Sequence, residues 1–140
     1  MNTKMDAVNA LRTLKGFIGK EQLAAITDGC RGEEKQFFFD KLVEMAGIVS
    51  AMPKTYEQDG LGDQAIAYLH YFRGNQDWYI TEKDVGTPED PGQHQAFGLA
   101  DLGYGGEMGY ISITEIIAHK VELDLYFRPR KLAELNRKAA

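Results

Sequence analysis

The chain has 140 residues, 44% of them hydrophobic and 26% charged, with 16 Lys and Arg against 21 Asp and Glu and a formal net charge of −5. That length fits one domain, able to bury roughly 68% of the surface its unfolded chain exposes. The composition excludes disorder, collagen-like repeats and a chain-long coiled coil, and the single cysteine, Cys30, excludes a disulfide framework, a four-cysteine zinc site and a C-x-x-C redox motif.

No apolar run approaches the roughly 20 residues that span a bilayer. Residues 1–6 lack the apolar stretch of a secretory signal, so the expected location is cytoplasmic with no membrane partner. Charge is uneven along the chain. Residues 1–63 carry a net of −2, residues 64–127 a net of −7 and residues 128–140 a net of +4. The acidic middle repels phosphate, so nucleic acid is a disfavoured partner. The basic tail (Arg128, Arg130, Lys131, Arg137, Lys138) reads as a solvated helix end.

The first third is helical. Met5, Val8, Leu11 and Lys15 trace one face of a first helix, which Gly16 and Gly19 weaken. Glu21 to Asp28 form a short second helix with Gly29 as its C′ stop. The strongest element begins near Gly32. There Phe38, Leu42, Met45, Val49 and Met52 recur at helical spacing, widened by Phe39, Val43 and Ala46. Glu33 and Glu34 fall in its first turn, where the helix dipole favours anions. Pro53 ends it by disfavouring helical geometry at Met52.

A polar connector, residues 54–63, precedes a change of period to two. Ile66, Tyr68, His70 and Phe72 point one way and Ala67, Leu69 and Tyr71 the other. Gly74-Asn75-Gln76 is a hairpin turn leading into Trp78-Tyr79-Ile80-Thr81. Val85 to Gln93 is a projecting loop. Strands follow at about 95–102 and 107–113, then a helix at about 114–119 opened by the capping-box sequence Ser112-Ile113-Thr114-Glu115. A fifth strand is expected at Val121–Phe127, closed by Pro129, and a last short helix at Lys131–Lys138. The expected fold is α+β over residues 1–140: N-terminal helices (1–53) on a mainly antiparallel sheet of about five strands (64–127), then the basic tail. One sheet face packs on the long helix and the other stays partly in water.

No P-loop, H-E-x-x-H or G-x-S-x-G motif occurs, and Gly103 to Gly109 reads as a hairpin turn rather than a phosphate cradle. His70, His94 and His119 have ligand chemistry but no chelating spacing. A small metal-dependent hydrolase or nuclease using His70, Glu82 and Asp84 is the enzymatic alternative. Glu82, Asp84, Glu107, Glu122 and Asp124 form either a carboxylate cluster for acid–base work or the solvated side of a sheet, and the second reading is preferred. Cys30 beside Arg31 reads as a structural thiol. Tyr68, Tyr71, Trp78, Tyr79, Tyr110 and Tyr126 give an aromatic sheet able to stack bases; it lacks flanking cations and suits a protein interface better, with single-stranded nucleic-acid binding through these rings and the basic tail as a further alternative. No cofactor is expected.

Five segments carry a resemblance: Leu69-His70-Tyr71-Phe72; Asp77-Trp78-Tyr79-Ile80-Thr81-Glu82; Phe97-Gly98; Glu107-Met108-Gly109-Tyr110-Ile111-Ser112 with Glu115; and Glu122-Leu123-Asp124-Leu125-Tyr126-Phe127 with Pro129. In this order, across residues 50–135, they resemble an uncharacterised family of small bacterial proteins carried by plasmids, integrative elements and phages. The resemblance implies a mobile-element accessory protein, encoded near conjugation, partition or antirestriction genes, and it supplies no catalytic residue. The resulting expectation is a non-enzymatic binding protein directed at a host defence or plasmid-maintenance complex. Its binding surface would draw on Trp78, Tyr79, Glu82, Asp84, His94, Tyr110 and Glu122. Homodimerisation over the open sheet face is a further expected mode.

Overall fold

A computed structural model describes residues 1–135. Three helices come first: α1 (Lys4–Leu14), α2 (Lys20–Gly29) and α3 (Lys35–Ala51). Thr3 and Asp6 close a reciprocal cap on α1, with Asp6 N donating to Thr3 Oγ1 (3.1 Å) and Thr3 N to the Asp6 carboxylate (2.8 Å). The buried side of α1 is Ala7, Ala10 and Leu14, whereas Met5 and Val8 face solvent. This corrects the expected stripe: small side chains turn inward because α1 lies directly along α3. Gly29 is not a left-handed stop either. It lies within α2, and a Cβ there would meet the Phe38 ring at 2.3 Å. Its missing side chain makes room for that ring.

α3 buries Leu42, Met45, Val49 and Met52 as the periodicity requires. Phe39 occupies the inner position expected of Phe38. Glu33 and Glu34 precede the helix, Glu34 being its N-cap without a side-chain cap bond. Met52 is extended (φ −71°, ψ 148°) before Pro53, which ends the helix. Lys83 Nζ then donates to the carbonyl of Val49 (2.7 Å), placing a cation on the helix's negative end.

Among the described residues seven strands follow: β1 (Ile66–Ala67), β2 (Leu69–Arg73), β3 (Gln76–Glu82), β4 (Ala96–Asp101), β5 (Gly106–Ile111), β6 (Glu122–Leu123) and β7 (Arg130–Lys131). One helix, α4 (Ile113–Ala118), precedes β6. Ser112 Oγ accepts from Glu115 N (3.1 Å) at its start, as the capping sequence suggests. The main sheet is antiparallel, in the order β5-β4-β3-β2-β6. Gly74 and Asn75 are the two turn residues between Arg73 and Gln76, and Gly74 takes φ +59°. Leu69, Tyr71, Trp78, Ile80 and Ile111 face the helices. The Tyr71 hydroxyl, fully buried, donates to the Phe17 carbonyl at 2.6 Å.

The last expected strand is cut short. Asp124 N still donates to His70 O (2.8 Å), but the Asp124 carboxylate then takes the Tyr126 amide (2.9 Å) and turns the chain away. The chain returns as β7, which pairs with β1 (Ile66↔Lys131, Ala67↔Arg130). Instead of a helix from Lys131, a single 3-10 turn forms at Leu132–Glu134, and residues 136–138 of that expected helix lie outside the described residues. Leu132 joins Ala65, Ala67, Leu99 and Phe127 in a second small core that covers part of the helix-free face. Among the described residues no helix is long and apolar enough to cross a membrane.

Gly98, on β4, faces β3 so closely that a Cβ would lie 1.9 Å from the Tyr79 carbonyl oxygen, while a Cβ at Gly109 meets nothing within 4 Å. Gly98→Ala is expected to cost roughly 3 kcal/mol or more in urea denaturation by forcing β3 and β4 apart, and Gly109→Ala to stay within about 1 kcal/mol of the parent.

Candidate functional site

The seven residues expected to share a binding surface are dispersed. Trp78 is buried (8% exposed) against the helices and Glu82 is more deeply buried (2%), so neither is a surface group. Glu82 Oε1 accepts the amide of Tyr56 (3.0 Å) and lies 3.4 Å from that of Gln58, and Oε2 accepts the Thr81 hydroxyl. Its carboxyl group pins the connector to β3. Asp84 accepts the amides of Gly86 (3.0 Å) and Gln95 (3.1 Å) and so closes the base of the 85–93 loop. Burial alone pushes the Asp84 carboxyl up, but the amides of Gly86, Gln95 and His94 outweigh it and hold the group below its ordinary value. His94 is exposed in that loop, 3.0 Å from the Asp90 carboxylate. Glu122 is exposed on β6, at the opposite edge of the sheet from Tyr110 on β5.

Glu82 and Asp84 are thus committed to separate sets of backbone amides, and neither joins His70 in a ligand set. Among the described residues no group of three or more His, Cys, Asp and Glu side chains is placed to hold a metal ion. The Cys30 thiol is pushed up by burial, the opposite of activation, and Arg31 turns to Asp28 instead (3.5 Å).

Two constellations do form, and both lie on the helix-free face. In the first, His70 stands between two carboxylates, with Nε2 2.7 Å from Asp77 Oδ1 and Nδ1 2.9 Å from Asp124 Oδ2. The Tyr79 ring stacks on the imidazole, with centroids 4.6 Å apart and planes at 10°. Burial, then the Asp77 charge, pushes the Tyr79 phenol up. A general base must offer a free nitrogen to its substrate, and both nitrogens of His70 are taken. The group instead ties together β2, β3 and the turn after β6. Asp77 was legible once the hairpin register was known. His70 lies opposite Tyr79, and period-two alternation puts Asp77 on the same face.

In the second constellation, Tyr104, Tyr110, Tyr56, Leu102 and Met108 are all exposed around β5, Tyr104 at 88% and Tyr110 at 55%. Tyr110 packs edge-on against Phe97 (5.6 Å), and its hydroxyl shares a hydrogen bond with that of Tyr56, which pushes the Tyr110 phenol up. Of the expected surface residues only Tyr110 belongs here. Tyr56, Leu102, Tyr104 and Met108 escape a reading of periodicity because three lie in connectors and the fourth sits at an ordinary strand position. None of the chain's 16 Lys and Arg falls within residues 84–119, a segment with six Asp and Glu.

Two measurements separate structural carboxylates from surface ones. Glu82→Lys is expected to cost roughly 3 kcal/mol or more by chemical denaturation, because it strands two amides and buries a cation, whereas Glu122→Lys stays within about 0.5 kcal/mol. A carboxyl whose folded-state pKa is depressed contributes stability above its unfolded value of about 3.9 and loses it as the pH falls through the folded value. The stability gap between the parent and Asp84→Ala is therefore expected to be full near about pH 7 and to close progressively below about pH 4.

Comparison with protein-family models, with curated proteins and with solved structures gives no match to this chain.

Proposed function

We propose that the chain is a non-enzymatic accessory protein of a mobile genetic element that acts by binding another protein, as an inhibitor of a host defence complex of the antirestriction or anti-CRISPR type. The observation that carries the reading is the exposed tyrosine and methionine surface around β5, set in a stretch of chain without a single Lys or Arg. Exposed Tyr and Met are residues enriched in interface cores, and the carboxylate of Glu107, exposed on a strand without Lys or Arg, is complementary to a basic, nucleic-acid-binding surface. Occupying such a surface would block nucleic acid sterically and by charge, with association fastest at low salt. The mobile-element origin rests on the sequence resemblance. The fully engaged nitrogens of His70 favour binding over catalysis.

The test is inhibition of purified restriction and CRISPR nucleases by the full chain, beside a Tyr104→Ser/Tyr110→Ser variant. The parent is expected to block cleavage by one of them. The variant should lose roughly tenfold or more in potency with an unchanged melting temperature. Equal potency of the two chains would place the interface elsewhere, and no inhibition by either would overturn the reading.

A further inference from the structure

We infer that β5 recruits the partner by strand addition, taking up a basic, extended segment of the partner polypeptide along its open edge; this rests on the binding reading above. In a two-residue hairpin the residues flanking the turn, here Arg73 and Gln76, form a hydrogen-bonded pair, and such pairs alternate along each antiparallel ladder. The bond from Asp124 N to His70 O, on the side of β2 away from β3, agrees with that parity. Carried through the registers Asp77↔Asp101 and Gly98↔Gly109, it turns Glu107, Gly109 and Ile111 toward β4 and leaves the amides and carbonyls of Gly106, Met108 and Tyr110 pointing outward. Among the described residues no backbone group pairs with them.

Protein sheets protect such an edge with Lys, Pro, a bulge or brevity. β6, at the other end of the sheet, is two residues long and the chain then turns away. β5 has six residues, no Lys, no Pro and a continuous register. A groove of about 520 Å³ runs beside it, lined by Ala100, Leu102, Tyr104, Glu107, Met108 and Tyr110, where alternate side chains of an added strand would rest. Charge selects the occupant. Glu107 is the charged side chain among the residues lining this groove, and no Lys or Arg lines it. A second copy would bring the same charge to the edge, while a segment rich in Lys or Arg would neutralise it.

The probe is a synthetic eight-residue peptide of alternating Lys and Val, with a Glu–Val peptide of the same pattern as control, added to the full chain and followed by amide hydrogen exchange. The Lys–Val peptide is expected to bind and to slow exchange at Gly106, Met108 and Tyr110 roughly tenfold or more, and the control to do neither. A Met108→Lys/Tyr110→Lys variant should abolish the effect while keeping its melting temperature. Binding without protection of those three amides, or no binding by millimolar peptide, would overturn strand addition. So would protection in the free chain accompanied by dimer in sedimentation, since a second copy would then hold the edge. Nuclease inhibition that persists when the peptide arm fails leaves the binding reading standing and removes this one. Failed inhibition with a positive peptide arm does the reverse.

Discussion

A carboxyl group removed from water must find donors inside the protein, and much of this molecule is arranged around one that does. Glu82 ends β3 just past a break in the β3–β4 register, where the strand would otherwise continue outward. By taking the Tyr56 amide it fixes where the connector from α3 crosses the sheet, and therefore where the Tyr56 ring stands beside Tyr110. Gln58 extends the same attachment, its side-chain amide donating to the carbonyls of Ile66 and Thr81 at 2.9 and 2.8 Å. A buried polar network of this kind is stable only when its members are satisfied together. The exposed aromatic surface thus depends on a residue that contributes nothing to it directly.

The two sheet faces are built on different principles. Toward the helices the contacts are apolar and continuous, and non-directional burial supplies the stabilisation. The opposite face is discontinuous. A small apolar cluster holds β1 and β7, a polar group surrounds His70, and the β5 region is left uncovered. A similar joint at the helical side links α3 to the turn after β6. Lys41 there lies beneath Tyr126 (5.1 Å from the ring centre), and Glu44 contacts both Lys41 and Arg128. Lys41 is thus buried outside the apolar core, beneath the exposed rings of Phe37 and Tyr126, and that aromatic covering explains its burial.

Periodicity made the α+β class, α3, the first hairpin and the α4 cap legible, because each depends on contacts close in sequence. It failed where distant contacts decide. Ala7 and Ala10 outrank Met5 and Val8 because of how α1 lies on α3. The Asp124 carboxylate ends β6 before alternation at Leu125 and Phe127 can act. β7 reads as tail because two residues, Arg130 and Lys131, have no pattern of their own. The site was less legible than the fold. Trp78 and Glu82 have the residue types of a binding surface but sit inside, and Tyr104 gains meaning only from its position beside an open strand. Gly98 stands so close to the Tyr79 carbonyl that packing calls for glycine there, a constraint that alternation along β4 does not reveal.

The pairing of β1 with β7 joins Ile66 to Lys131 across most of the sheet domain. Closing so long a loop is entropically demanding, and a two-residue ladder, the Leu132 amide on the Ala65 carbonyl (2.9 Å) and a small apolar cluster reward it. The helices and the first hairpin require much shorter closures. Loop closure by itself therefore favours assembly from α1–α3 and the β2–β3 hairpin outward, with this clasp expected to form late and to open early. Brief openings of the native protein would then begin on the helix-free face and leave the helical side intact.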